Sequence, residues 1–256
     1  MKQPIKNVRF IMSFFIIFAL IFSVLLNCAM VTSAEAEIKD LSSNIIYKED
    51  KKNTKKTDVL RQKRGSFKID ITPILQYPEL PTGCEVTALA TVLNYYNCNV
   101  DKSYLAEYYL EKGEIGQTNP KNAFVGSPFS NEAYGCYSDV IVNTAQRYII
   151  DYELDLNVKN ISELDFPQLL NYVKKGQPII FWATMQLTEP YESTVWMIDS
   201  EKVVWYAYEH CMVLLGFNYD TDCYIVSDPL KGITEYKRDL MEVRYNQIGK
   251  QAVLVS

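Results

Sequence analysis

The stretch EHCMVLLGFNYDTDCYIVSD, Glu209–Asp228, decides how this chain folds. Glu209 to Phe217 is largely apolar, Cys223 to Ser227 is a second such run, and Asn218 to Asp222 between them is rich in turn-forming residues. Two runs joined by a short polar loop read as an antiparallel hairpin. A register running outward from that loop leaves His210 and Asp228 within three positions of direct opposition, with a bulge able to adjust the alignment. The hairpin therefore sets the only histidine of the chain beside a carboxylate.

Around this hairpin the pattern is mixed. Phe67 to Ile74 alternates apolar and polar residues and reads as a strand, and Pro78 and Pro81 then break regular structure. Val86, Leu89, Ala90 and Leu93 follow the spacing of an amphipathic helix, and a second helix is expected over Asp101–Glu111. Gly113–Asn131 reads as a long loop, Ser138–Ile150 as a helix and Tyr152–Val158 as a strand. Phe166–Lys175 is a helix closed by Gly176, and the apolar run Pro178–Thr184 is a buried strand. Tyr236–Ile248 is helical by pattern, and Gln251–Val255 is a last strand. Helices in the first half and strands in the second argue an α+β fold over alternating βαβ units.

The chain has 256 residues, of which 48% are hydrophobic and 22% charged, as in ordinary globular proteins. Lys2, Lys6 and Arg9 precede a predominantly apolar run, Phe10 to Leu26, and Ala34-Glu35-Ala36 has the form of a cleavage site. Residues 1–36 therefore read as a secretory signal or an N-terminal membrane anchor. Leu25-Leu26-Asn27-Cys28 also resembles a lipoprotein signal with Cys28 acylated. Each reading places the rest of the chain outside the cytoplasm. Residues 37–67, with nine basic and five acidic side chains, read as a disordered linker or pro-segment of charge +4. It is a solvated spacer or a segment drawn to an anionic membrane or cell wall. With residues 1–36 at +2 and the whole chain at −5, the remaining domain, 68–256, carries −11. That balance speaks against nucleic acid as a partner. One histidine excludes a His-rich metal site, and the sequence shows no metal site and no cofactor motif.

The chemistry centres on Cys84. Thr82-Gly83-Cys84-Glu85 has the form of a capping box, with Thr82 and Glu85 reciprocally bonded at the start of a helix. Cys84 would then lie in the first turn, where the helix dipole and unpaired N–H groups favour a thiolate. Taken singly, these residues have plainer roles. Cys84 could be a small buried residue, His210 a core histidine, and Asp228 a turn residue before Pro229. Together they have the chain order nucleophile, base, orienter. His210 follows Cys84 by 126 residues, near the ~130–150 of papain-like peptidases. Gln76 is the upstream side-chain candidate for an oxyanion donor. Removing the signal leaves five cysteines, an odd number, which outside the cytoplasm suggests at least one free thiol. Trp182 and Trp205 are candidates to shield the Cys–His pair, or are simply core.

PELPTGCEVTAL, Pro78–Leu89, resembles the nucleophile motif of a bacterial papain-like family similar to the bacteriocin-processing, double-glycine (C39) peptidases. The resemblance continues at Tyr134-Gly135-Cys136-Tyr137, Gly176-Gln177-Pro178-Ile179-Ile180, Glu209-His210-Cys211 and Ser227-Asp228-Pro229-Leu230. It implies a papain-like α+β fold, with Cys84 as nucleophile, His210 as base, Asp228 as orienter and Gln76 as oxyanion donor. The chain departs from the double-glycine peptidases in having a signal and no transporter, and in the long spacing from Gln76 to Cys84. The resulting expectation is an extracytoplasmic cysteine peptidase acting on a peptide or protein substrate. Two alternatives stand beside it: a cysteine-dependent acyltransferase or amidase, and a non-catalytic cell-surface binding module.

Overall fold

The computed structural model describes residues 65–256 apart from Asp199. The expected signal or anchor, the Cys28 site and the linker up to residue 64 lie outside the described residues. In chain order the elements are β1 (Phe67–Lys68), α1 (Cys84–Tyr95), α2 (Lys102–Tyr108), β2 (Lys112–Gly113), β3 (Phe124–Val125), α3 (Ser138–Asp151) and β4 (Val158–Asn160). They continue with α4 (Phe166–Val173), β5 (Ile179–Thr184), β6 (Glu192–Ile198), β7 (Glu201–Tyr206), β8 (Glu209–Asn218), β9 (Cys223–Asp228), β10 (Gly232–Lys237), α5 (Arg238–Gln247) and β11 (Ala252–Val255).

The main sheet runs β10-β9-β8-β5-β11-β4, with every pairing antiparallel. β1 pairs the far end of β8, Phe67 opposite Phe217. The sheet is covered on both faces. Alternation along β8 sends Cys211, Val213 and Leu215 into a core shared with α1 and α3. Met212, Leu214 and Phe217 enter a second core with Phe166 and Leu169 of α4 and with Met241 and Tyr245 of α5. Both faces buried is why β5 and β8 read as nearly continuous apolar runs.

Helix α1 departs from the amphipathic expectation. Every residue from Cys84 to Leu93 is buried, because the helix packs on β8 and β5 and also meets α2 and α3. Other boundaries shift where pairing partners run out. Only Phe67 and Lys68 of the expected Phe67–Ile74 strand form ladder pairs. The expected strand Tyr152–Val158 is largely a turn, and pairing begins at Val158. The expected loop Gly113–Asn131 contains β3, which pairs in parallel with β2 at the start of that loop. Tyr236 and Lys237 belong to β10, so the helix expected from Tyr236 begins at Arg238. The sequence reading does not reach β6 and β7, a separate hairpin whose Trp196, Val203 and Trp205 join the α1-side core.

Candidate active site

The hairpin forms as expected, with an irregularity that matters. Asn218 pairs with Cys223 and Gly216 with Ile225, then a bulge at Leu215 shifts the register so that Leu214 pairs with Val226. The next positions outward bring Asp228 level with Met212, a diagonal neighbour of His210 on the same face. The His210 Nε2 to Asp228 Oδ1 distance is 2.7 Å. Both side chains are buried, at 2% and 1% exposure, so water does not compete for this bond. Asp228 is fully engaged: Oδ1 also accepts from Leu230 N at 2.8 Å, and Oδ2 accepts from the Tyr236 hydroxyl at 2.7 Å.

Burial alone would raise the Asp228 pKa, but the hydrogen bond and charge of His210, with the Leu230 and Tyr236 donors, hold it below the usual aspartate value. A depressed carboxylate pKa stabilises the fold above its unfolded value, and that contribution is lost as pH falls through the folded value. The acid limb of stability, below about pH 4, is therefore expected to flatten in Asp228→Asn. Urea unfolding from pH 5 to 2 checks this; a profile unchanged from wild type would contradict it.

Cys84 is the first residue of α1, as expected, but the capping box is not formed. Gly83 is the N-cap, with no side-chain cap bond. The Thr82 hydroxyl donates instead to Ser130 O at 2.9 Å. Glu85 turns into the core, where Oε1 accepts from Cys136 N at 2.7 Å. Its Oε2 lies 3.2 Å from Cys84 Sγ. A buried carboxylate bonds the nearest buried donor, and the Cys136 amide supplies it.

This environment reverses the expected effect on the thiol. Burial pushes the Cys84 pKa well up, and the carboxylates of Glu85 and Glu209 add to the rise. These surroundings favour the thiol over the thiolate, despite its place at a helix N-terminus. Burial lifts Glu85 itself to about 7, against the hydrogen bond from Cys136. Burial, and then the charge of Glu85, also raise Glu209 well above the usual glutamate value. Neither acid was singled out as a site residue from sequence. They lie far apart in the chain and meet only when α1 docks on β8.

The structure joins some expected site residues and separates others. His210 and Asp228 are bonded. Cys84 Sγ accepts from the N–H of Cys211 at 3.4 Å, which sets the sulfur against the peptide that follows His210. The sulfur's hydrogen bonds run to Glu85 and Cys211, and none runs to His210. Gln76 is buried in the segment leading to α1. Its Nε2 donates to Pro81 O at 2.6 Å, and its backbone N–H donates to Pro229 O at 2.9 Å, tying the segment to the Asp228 turn. Trp182 and Trp205 line the Cys136 side. Trp182 donates to Cys136 O at 3.0 Å, and Trp205 stacks on Tyr137 with ring centroids 5.6 Å apart. Cys84, Cys98, Cys136, Cys211 and Cys223 are all free thiols.

The model of the Peptidase_C39 like family matches residues 68–253. The chain belongs to this peptidase C39-like family. The uncharacterized protein YvpB of Bacillus subtilis is 31% identical over 184 residues, which is 70% of each chain. A Bacillus anthracis crystal structure, described as that of a candidate C39-like peptidase, superposes with a TM-score of 0.64 at 28% identity. That alignment covers 73% of this chain and 98% of the other. A double-glycine-motif protease from an AMS/PCAT transporter, solved with its leader peptide, aligns at 16% identity and a TM-score of 0.44, covering 75% of this chain and 94% of that one. The α+β architecture is the papain-like fold of this family, and membership supports cysteine-peptidase-like chemistry in general terms.

Proposed function

We propose that the protein is an extracytoplasmic cysteine peptidase that hydrolyses peptide bonds through Cys84, His210 and Asp228. The observation that carries this reading is the buried His210–Asp228 bond at 2.7 Å, with the Cys84 sulfur against the adjoining peptide. Three donors converge on Asp228, so Nε2 of His210 holds a proton and Nδ1 is left to act as base. Cys84 Sγ exchanges its Glu85 contact for Nδ1 and yields its proton there. The sulfur then attacks the substrate carbonyl, forming the S–C bond. The backbone N–H of Cys84, without an intrahelical partner at the first helical position, and the second N–H of Gln76 receive the oxyanion. Nδ1–H protonates the leaving amine as the C–N bond breaks. The freed Nδ1 then takes a proton from water as the water oxygen adds to the acyl carbon. The S–C bond breaks to release the acid, and Nδ1–H returns the proton to the sulfur.

The signal-like N-terminus supports an extracytoplasmic location, and the acidic domain favours neutral or basic peptides over anionic ones. The test compares wild type and Cys84→Ala on a broad peptide library, with circular dichroism to confirm folding. Hydrolysis by wild type and loss to background in the variant are expected. Equal cleavage by both, or by neither, overturns the reading.

A further inference from the structure

A buried group of ligand atoms includes the Cys84 sulfur and two carboxylates to which the hydrolytic mechanism assigns no step. The Cys84 sulfur and one carboxylate oxygen each from Glu85 and Glu209 all lie within 4.8 Å of one another. All three residues are buried, Glu209 at 8% exposure. Glu209 Oε1 has no hydrogen-bond partner, although the backbone around it is fully folded. A buried carboxylate oxygen without a donor is costly and calls for a counter-group. The fold also keeps this space clear. A Cβ on Gly135 would press against Glu85 Oε1 and stand 3.3 Å from Glu209 Oε2 and 2.9 Å from the Trp205 ring.

We propose that Cys84, Glu85 and Glu209 form a binding site for a borderline-soft divalent cation of the zinc class, which blocks the nucleophile reversibly. One thiolate and two carboxylate oxygens suit zinc, whereas magnesium and calcium prefer oxygen alone. Zinc bonds of about 2.3 Å to sulfur and 2.0–2.2 Å to oxygen set tetrahedral edges of roughly 3.4–3.7 Å. The Cys84 Sγ to Glu85 Oε2 distance of 3.2 Å is already near such an edge. Rotation of the Glu209 side chain closes the third contact, and water takes the fourth position. On binding, the S–H bond breaks, the S–metal bond forms, and the proton leaves to solvent with any proton held by the carboxyl groups. No electron is transferred. A sulfur held in this way cannot attack a carbonyl, and a chelator restores it.

The inhibitory consequence rests on the peptidase reading; the binding does not. The closing experiment therefore reads binding without turnover. Chelator-stripped full-length protein is titrated with Co²⁺, then with Zn²⁺. One equivalent of Co²⁺ is expected to give a sulfur-to-cobalt charge-transfer band with tetrahedral d–d absorption, and Zn²⁺ to displace it. Cys84→Ser should abolish the band, and Glu209→Gln should weaken Co²⁺ binding at least tenfold. X-ray absorption of the wild-type zinc form needs no variant, and one sulfur with oxygen neighbours is expected. Absence of the band, a band surviving Cys84→Ser, unchanged affinity in Glu209→Gln, or two or more sulfurs at the metal would each overturn the proposal. If only the peptidase reading is wrong, the cobalt signature persists without hydrolysis. If only the metal reading is wrong, hydrolysis remains Cys84-dependent and indifferent to zinc.

Discussion

Asp228→Ala is expected to lower kcat/KM for peptide hydrolysis by about 10²–10⁴-fold, the range that positioned acid–base groups contribute. Asp228→Asn is expected to lose distinctly less. The difference follows from what each oxygen does. Oδ1 accepts from His210 and Leu230, and Oδ2 accepts from Tyr236. An asparagine oxygen in the Oδ1 place keeps both of its donors, so the imidazole keeps its tautomer and orientation. The amide nitrogen then meets Tyr236, whose hydroxyl can turn to accept. What asparagine lacks is the negative charge that, in the proposed mechanism, stabilises the imidazolium as the thiol proton arrives. Alanine loses the charge, the tautomer and the orientation together, and leaves a buried imidazole without its partner. Profiles of kcat/KM against pH for both variants check this. Wild-type activity in Asp228→Ala would remove Asp228 as a positioning residue. Equal losses in the two variants would show that charge alone matters.

The His210–Asp228 bond was legible because it depends on short-range facts. A strand period of two, a polar loop and two apolar runs fix which residues of a hairpin face one another. The bulge at Leu215 moved the register by one position, and its placement depends on how β8 fits β9, β5 and β1 together. The placement of Cys84 at the start of α1 was legible for the same local reason. Its electrostatics were not. The capping-box pattern uses four consecutive residues, whereas Glu85 chose a donor at Cys136, across the loop before α3. Glu209 reads in sequence as the polar start of a strand. It becomes a buried acid because residues remote in sequence, Cys84 and Glu85 at the start of α1 and Gly135 in the loop before α3, come against it. The alternation over Phe67–Ile74 likewise continues beyond the pairing, since β8 offers β1 ladder partners only at Phe217 and Gly216. Local pattern reveals what an element is; the nonlocal partner decides where it ends and what its polar groups meet.

Trp182→Ala is expected to destabilise the fold by about 3–5 kcal/mol, the usual cost of emptying a large aromatic site in a core. Trp182 lies in the middle of β5, fully buried, opposite Cys211 of β8. Its ring fills the α1-side core, and its indole N–H donates to Cys136 O. The same Cys136 residue donates its N–H to Glu85, whose other oxygen meets the Cys84 sulfur. Truncation therefore opens a cavity, removes the donor to a buried carbonyl and loosens the support of Glu85 beside Cys84. Trp182→Phe separates these effects. It keeps much of the volume but leaves the carbonyl unpaired, at a cost of about 1–3 kcal/mol. Urea unfolding at constant m-value measures both losses as shifts in midpoint. A phenylalanine loss as large as the alanine loss would assign the effect to the hydrogen bond. A loss below about 1 kcal/mol in Trp182→Ala, the level typical of a surface site, would mean that neighbouring side chains refill the space. The sheet and α1 would then hold Cys136 and Glu85 in place without the indole.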